Sequence, residues 1–281
     1  MQVAETVAAM REIRGGLAGN VGLVPTMGAL HAGHEELFCV ARESCDTVVV
    51  SIFVNPRQFG PGEDYEAYPR DTAGDLEICR RRGVDIVFAP AAAEIYPPGD
   101  ATTVDPGPIG TILEGAHRPG HFAGVATVVT KLFHIVGPHR AYFGRKDAQQ
   151  LRVIERISED LRLDVAIVPV ATVREADGLA LSSRNAYLDP AERRAATVLF
   201  RALQRGWRSY AGGERDGDRL RQAIRSVLDG EPLADPDYVE VVDPTTFEPL
   251  ERATGPALAC LAVRLGRARL IDNLRLDDEA G

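Results

Sequence analysis

Thr47-Val-Val-Val-Ser-Ile-Phe-Val54 is apolar at every position but two. A strand wetted on one face alternates apolar and polar residues, so a run this continuous reads as a strand covered on both faces. Just upstream, residues 33–44 carry a helical pattern, and residues 21–26 form a second strand-like run. Downstream, strand patterns at 85–89, 141–143 and 164–170 are separated by helical ones at 71–82, 124–136 and 147–159. Strands alternating with helices predict a parallel, doubly wound sheet of the Rossmann-like α/β class. In that architecture ligands collect beyond the carboxyl ends of the strands, where loops feed helix N-termini.

After about Val173 the pattern changes. Residues 190–210 and 216–228 read as Arg-rich amphipathic helices, followed by strand-like 238–242, 257–265 and 268–274. The expected organisation is a Rossmann-like catalytic domain over residues 1–172 and a smaller α+β domain over 173–281 that closes over the site.

The 32 basic residues against 41 acidic ones give a formal net charge of -9. Nucleic acid and anionic lipid both need a basic face, so neither is an expected partner. Only Lys131 and Lys146 are lysines; the other basic residues are arginine. A compact ammonium aimed at a phosphate is not replaceable by a planar guanidinium, which makes these two positions candidates for a point-charge role. Cys39, Cys45, Cys79 and Cys260 lack CxxC spacing and read as buried free thiols of a reducing cytoplasm. There is no signal-peptide pattern and no apolar stretch of membrane-spanning length, so a cytoplasmic location is expected.

The strand at 21–26 runs into Pro25-Thr-Met-Gly-Ala-Leu-His-Ala-Gly-His34. Gly28 and Gly33 have P-loop spacing, but His34-Glu35 stand where Lys and Ser/Thr belong, so it is not a P-loop. A glycine-bearing turn entering a helix N-terminus is expected to present free N–H groups and partial positive charge to an anion. His31 and His34, three apart on a first helical turn, can converge on one phosphate chain.

His31-Ala32-Gly33-His34 resembles the His-x-Gly-His signature of the nucleotidyltransferase superfamily that includes class I aminoacyl-tRNA synthetases. The longer string at 25–34 resembles the pantothenate synthetase family. So do Ser51-Ile-Phe-Val-Asn-Pro-Arg-Gln-Phe59, Glu63-Asp64, Tyr68-Pro69-Arg70 and Leu113-Glu-Gly. Further matches are Arg118-Pro-Gly-His-Phe-Ala-Gly124, Tyr142-Phe-Gly-Arg-Lys-Asp-Ala-Gln-Gln150, Asp177-Gly-Leu-Ala-Leu-Ser-Ser-Arg-Asn185 and Ala268-Arg-Leu-Ile-Asp-Asn273. The likeness runs in order from about residue 20 to 273.

The resemblance implies ATP-dependent condensation of pantoate with β-alanine through a pantoyl adenylate, with Mg²⁺ bridging the phosphates, in a homodimer. It implies that Met27, Gly28, Ala29, Leu30, His31, Ala32, Gly33 and His34 hold ATP, as do Gly144, Arg145, Lys146 and Asp147. Ser182, Ser183 and Arg184 resemble the superfamily's second phosphate loop, with Val173 and Leu181 near the adenine. His31, His34, Lys146 and Arg184 carry the implied catalytic roles. Gln58 and Gln150 are implied to grip pantoate, an acid with hydroxyls to which each amide offers an acceptor and two donors; Asn55 is implied to line that pocket. Arg57, Arg145 and Ala148 depart from the family's usual form. The competing readings are a nucleotidylyltransferase acting on a phosphate acceptor and a non-enzymatic nucleotide sensor.

Other residues carry plainer expectations. Pro119-Gly120 breaks any helix between His117 and His121, which makes them loop residues rather than a zinc pair. His134 and His139 read as structural, and Trp207 as a packing residue. Asp71 and Asp75 read as surface charges, with a part in Mg²⁺ binding as the alternative. Lys131 can face either the active site or the helix surface.

Overall fold

The computed structural model describes residues 1–278. Contacts divide it into two compact units: Met1–Arg145 with Gln149–Ala171, and Lys146–Ala148 with the chain from Thr172 onward.

The first unit runs β1 (Gln2–Ala4), α1 (Val7–Gly15), β2 (Val21–Thr26), α2 (Ala32–Ser44), β3 (Thr47–Ile52), α3 (Thr72–Arg81) and β4 (Ile86–Phe88). Two one-turn helices follow, α4 (Ala92–Ile95) and α5 (Glu114–His117). The unit ends with α6 (His121–Val136), β5 (Arg140–Gly144), α7 (Ala148–Asp160) and β6 (Ala166–Val170). Its six strands stand in the order β1-β4-β3-β2-β5-β6, and every pair is parallel. From β2 the chain steps outward through β3 and β4, and β5 returns to the other side of β2.

Successive side chains of a strand point to opposite faces. In β3, Val49 joins a core with Leu23, Ile86, Phe88 and Phe143. Val48 and Val50 belong to a second core with Val24, Val87, Tyr142 and the α2 residues Leu37 and Phe38. The unbroken apolar run at 47–54 is thus two half-patterns, one for each face.

The boundaries differ from expectation where side-chain bonding intervenes. β3 stops at Ile52, because Asn55 and Pro56 open a 3-10 turn over Pro56–Gln58 capped by Asn55. α6 begins at His121 rather than 124, since left-handed Gly120 (φ +83°) redirects the chain just before it. The Pro119-Gly120 break therefore precedes a helix, and His121 is its first residue instead of a loop residue. β1 and α1 were not expected: β1 is three residues with only Ala4 buried, while α1 turns Val7, Met10 and Ile13 to the core at helical spacing.

The second unit contains α8 (Pro190–Ala195), α9 (Val198–Ala211), α10 (Gly217–Leu228), β7 (Asp235–Val242), β8 (Leu258–Leu265) and β9 (Ala268–Arg275). The single helix expected at 190–210 is two helices, α8 and α9. The strands form an antiparallel sheet in the order β7-β8-β9, and α9 and α10 cover it through Leu199, Leu203, Leu220 and Ile224. Trp207 packs against this core as expected, and its Nε1 donates to the Asp278 carbonyl. No helix among the described residues is long and apolar enough to cross a membrane. Cys45, Cys79 and Cys260 are buried free thiols, whereas Cys39 is exposed on α2.

Candidate active site

The direction of winding reverses between β2 and β5, and these two strands pair directly, Gly22 with Arg140 and Leu23 with Ala141. A crevice beyond the carboxyl ends of two such strands is the ligand site of an open α/β sheet. The segment at 27–34 leaves β2 there, and β5 ends there at Gly144.

The 27–34 segment is shaped by its own side chains. His31 is the N-cap of α2 and accepts the Gly33 N–H at Nδ1 (3.1 Å). His34 accepts the His31 N–H at Nδ1 (3.3 Å), and the two rings lie 4.2 Å apart. An imidazole that accepts at Nδ1 carries its proton at Nε2. Both rings are therefore held as Nε2–H donors, by an imidazole version of the reciprocal capping box.

The expectation of free backbone amides in this loop is corrected at five positions. Gly28 N–H donates to Thr26 Oγ1 (3.2 Å). Ala29 and Leu30 N–H donate to Asp75 Oδ2 (3.0 Å) and Oδ1 (2.8 Å). With Gly33 and His31 bonded to imidazoles, the amides of Gly28, Ala29, Leu30, His31 and Gly33 are all paired within the protein. Asp75, expected on the surface, is only 3% exposed. Burial pushes its pKa up, against the pull of the two amides. It reaches the loop from the first turn of α3, where Asp71 is the N-cap. Gly28 (φ +80°) leaves no alternative residue: a Cβ there would stand 2.7 Å from Asp75 Oδ2. Ala29 takes a left-handed φ of +50°, a conformation costing a non-glycine residue about 1 kcal/mol, and the Asp75 bond holds it there.

Next to this loop, Gln58 Nε2 donates to Met27 Sδ (3.0 Å) and Gln58 Oε1 accepts from Asn55 Nδ2 (3.1 Å). Asn55 is 1% exposed. It is bonded within the protein to Tyr96 Oη, Arg57 N, Gly124 O and Gln58. It supports Gln58 rather than lining an open pocket. α6 comes so close to this turn that a Cβ on Gly124 would lie 2.1 Å from the Arg57 carbonyl oxygen.

The Gln58 carbonyl is gripped from behind. It accepts from Arg118 Nη2 (3.2 Å) and His121 Nδ1 (2.8 Å), and Arg118 pairs with Glu63 (2.6 Å). Because the carbonyl accepts at Nδ1, His121 Nε2 is left to accept from Arg118 Nη1 (3.1 Å), which fixes a neutral ring. Burial, then the Arg118 charge, push the His121 pKa down to about 4 from 6.5. The unfolded chain takes up this proton as pH falls through about 6.5, and the native chain refuses it until about 4. Stability is therefore complete above pH 6.5 and declines between 6.5 and 4 by roughly 3 kcal/mol from this group. Urea unfolding across that window should show His121→Gln with a shallower pH slope than wild type; equal slopes would refute the assignment.

Gln150 is half-buried on the first turn of α7. Its neighbour Gln149 is buried, with Nε2 on the Ile109 and Ile112 carbonyls (each 2.8 Å) and Oε1 on Glu114 N–H (3.1 Å). Of this pair, Gln149 is a strut.

The second unit holds the remaining candidates. Residues 173–181 form a hairpin in which Leu181 N–H donates to the Val173 carbonyl (3.0 Å), bringing those two side by side. Arg174 anchors it through a bidentate pair with Asp272 of β9 (2.6 and 2.9 Å). Ser182 caps the 3-10 turn Ser183–Tyr187 by accepting the Arg184 N–H (3.3 Å). Lys146 has its carbonyl held by Asn273 Nδ2 (2.8 Å) and its ammonium 3.6 Å from Asp147. A cavity of about 10 Å³ is bordered by Lys146, Ser182, Asn185 and Asp272 together. Arg145 is exposed.

His139 accepts the Val21 N–H at Nδ1 (2.9 Å), the structural role expected of it. Lys131, left open between the active site and the helix surface, pairs with Asp100 and donates to the Ile95 carbonyl (2.8 Å). No group of three or more His, Cys, Asp or Glu among the described residues is arranged to hold a metal. The residues missed in the sequence are Asp75 and Tyr96. Asp75 had a signal: it lies four before buried Cys79, on the inward stripe of α3. Tyr96 had none.

Residues 2–275 match the family model described as pantoate-beta-alanine ligase. A pantothenate synthetase of Roseiflexus castenholzii is 58% identical over 277 residues, covering 99% of this chain and all of the relative. The crystal structure of pantothenate synthetase from Thermus thermophilus superposes with a TM-score of 0.94 at 48% identity, over 98% of this chain and 99% of that one. The pantoate-beta-alanine ligase of Francisella tularensis, complexed with beta-gamma ATP and beta-alanine, gives 0.83 at 34% identity, over 99% and 98%. Likeness of this extent, end to end and on the same fold, places the chain in the pantoate–β-alanine ligase family.

Proposed function

We propose that this chain condenses pantoate with β-alanine at the expense of ATP, giving pantothenate, AMP and diphosphate through a pantoyl adenylate. The observation that carries this is the full-length likeness to a ligase crystallised with beta-gamma ATP and beta-alanine. A carboxylate does not react with an amine at neutral pH, because oxide would have to leave. Attack of the carboxylate oxygen on the α-phosphorus, with pyrophosphate leaving, gives a mixed anhydride. The β-alanine amine then attacks the acyl carbon and AMP departs with the former carboxylate oxygen.

Neither step needs a covalent enzyme intermediate. Two anions must be aligned, for which roughly 7–11 kcal/mol of the barrier is accessible, and developing charge must be met by fixed donors. His31 and His34 are assigned to the phosphates through Nε2–H, and their capping bonds support that assignment. Lys146, Ser182, Ser183 and Arg184 are assigned to the same nucleotide on the family likeness. Val173 and Leu181 are assigned to the adenine, Gly144, Arg145 and Asp147 to the rest of ATP, and Gln58 and Gln150 to pantoate. Mg²⁺ is proposed to arrive with ATP, since a hard ion that keeps its waters is held mainly by phosphate oxygens. A homodimer and a cytoplasmic location are proposed on the family likeness alone.

Purified protein with ATP, Mg²⁺ and pantoate should exchange labelled pyrophosphate into ATP without β-alanine. Adding β-alanine should then release AMP and pantothenate. Exchange that depends on a phosphate acceptor in place of pantoate would favour a nucleotidylyltransferase and overturn the ligase reading.

A further inference from the structure

We propose that Tyr96 is a positioning residue for pantoate recognition, buttressing and polarising the Asn55 amide whose orientation fixes which end of the Gln58 amide meets the substrate. The inference rests on the assignment of Gln58 to pantoate.

Asn55 can be oriented in only one way. Its Oδ1 faces the Arg57 N–H (3.2 Å), which can only donate. Its Nδ2 faces the Gly124 carbonyl (3.1 Å), which can only accept. A flipped amide would set donor against donor and acceptor against acceptor in a buried site. The remaining Asn55 hydrogen therefore goes to Gln58, so the Gln58 atom beside it must be Oε1. The remaining Asn55 lone pair takes the Tyr96 hydroxyl hydrogen (2.8 Å). With its oxygen committed, Gln58 presents Nε2–H₂, whose partner here is the weak acceptor Met27 Sδ.

Hydrogen bonding thus runs one way, from Tyr96 O–H to Asn55, from Asn55 to Gln58, and from Gln58 to a ligand. Each donation polarises the next amide and makes its N–H a better donor. A site built in this direction selects a ligand oxygen that accepts, a carboxylate or a hydroxyl lone pair.

Tyr96 is itself held in place. The Arg57 guanidinium lies 4.2 Å from its ring centroid and the Lys131 ammonium 4.7 Å, and both cations pair with Asp100. Arg57 acquires a purpose here: it pins the ring whose hydroxyl starts the relay. Phe53 packs on the same ring at 6.2 Å.

The test is a double-mutant cycle read as KM for pantoate in pyrophosphate exchange. Tyr96→Phe keeps the ring between its cations and removes only the hydroxyl. It should raise KM for pantoate about five- to tenfold, the worth of one hydrogen bond, with KM for ATP and kcat within about twofold. In a Gln58→Ala background the same change should have no further effect, because coupled residues are not additive. An equal effect in both backgrounds, or an unchanged pantoate KM in Tyr96→Phe while Gln58→Ala raises it, overturns the inference. If Gln58→Ala itself leaves pantoate KM unchanged, the Gln58 assignment fails and the inference fails with it. Calorimetric titration of pantoate gives the same readout without turnover.

Discussion

His34→Ala should slow pantoate-dependent pyrophosphate exchange by about 10²–10³-fold, equivalent to losing about 2.7–4 kcal/mol of transition-state stabilisation, as when one preorganised donor is removed. Part of the loss is direct, because the Nε2–H assigned to the departing pyrophosphate is gone. Part is indirect, because His34 Nδ1 also accepts the His31 N–H (3.3 Å) and so holds the cap that orients the other ring. Two further substitutions divide these contributions. In His34→Asn the amide oxygen can stand near the former Nδ1, so the cap survives while the outward donor is lost. In His34→Gln the amide nitrogen reaches toward the former Nε2, so the donor survives while the cap is lost. Asn should therefore melt like wild type and be nearly as slow as Ala. Gln should be the faster of the two but lose about 1 kcal/mol of stability with its cap. An Asn variant with near-normal turnover would remove His34 from the chemistry.

Asp75→Ala has the second largest expected effect, although this carboxylate is assigned no contact with substrate. It strips the acceptor from two N–H groups of the loop, those of Ala29 and Leu30. Each unpaired buried donor costs about 1–3 kcal/mol. The left-handed Ala29, no longer held, can relax toward ordinary backbone angles and carry His31 with it. A displacement of about 1 Å at a reacting group can cost about 10²-fold in rate, and that is the loss expected with every substrate saturating. Asp75→Asn keeps one acceptor and turns an NH₂ toward the other amide, so it should lie between wild type and Ala in both measures. Exchange rates well below the melting temperature, set beside urea unfolding, separate the two consequences. A destabilised Asp75→Ala that still turns over at the wild-type rate would show that the loop keeps its shape without it.

The fold was legible because its signal is redundant. Each buried strand writes its pattern for two faces at once, as Val48 and Val50 do against Val49. The intervening helices begin at capping residues visible in the chain, such as Asp71 and Asp216. β1 escaped because three residues are too few for a period to show; α1 carries a helical stripe, Val7, Met10 and Ile13, that went unread. The nucleotide motif was legible as a string, but the use of its amides was not. Glycines before a helix suggest amides open to an anion; in the structure Thr26, Asp75, His31 and His34 occupy those amides. Asn55, expected to face ligand, is instead enclosed and bonded to groups of the protein itself.

The amino-acid sequence by itself determined the layered α/β class, the order of its elements and the residues able to bear phosphate chemistry, since periodicity and side-chain type are properties of the chain alone. Tertiary structure decided the assignments that depend on a partner. Asp75 became a loop anchor because the amides of Ala29 and Leu30 come to it. Lys131 became a clamp on Asp100, and His121 a neutral imidazole beneath the Gln58 carbonyl. A hydrogen bond needs two ends placed within about 3 Å, and for distant residues only the folded chain supplies the second.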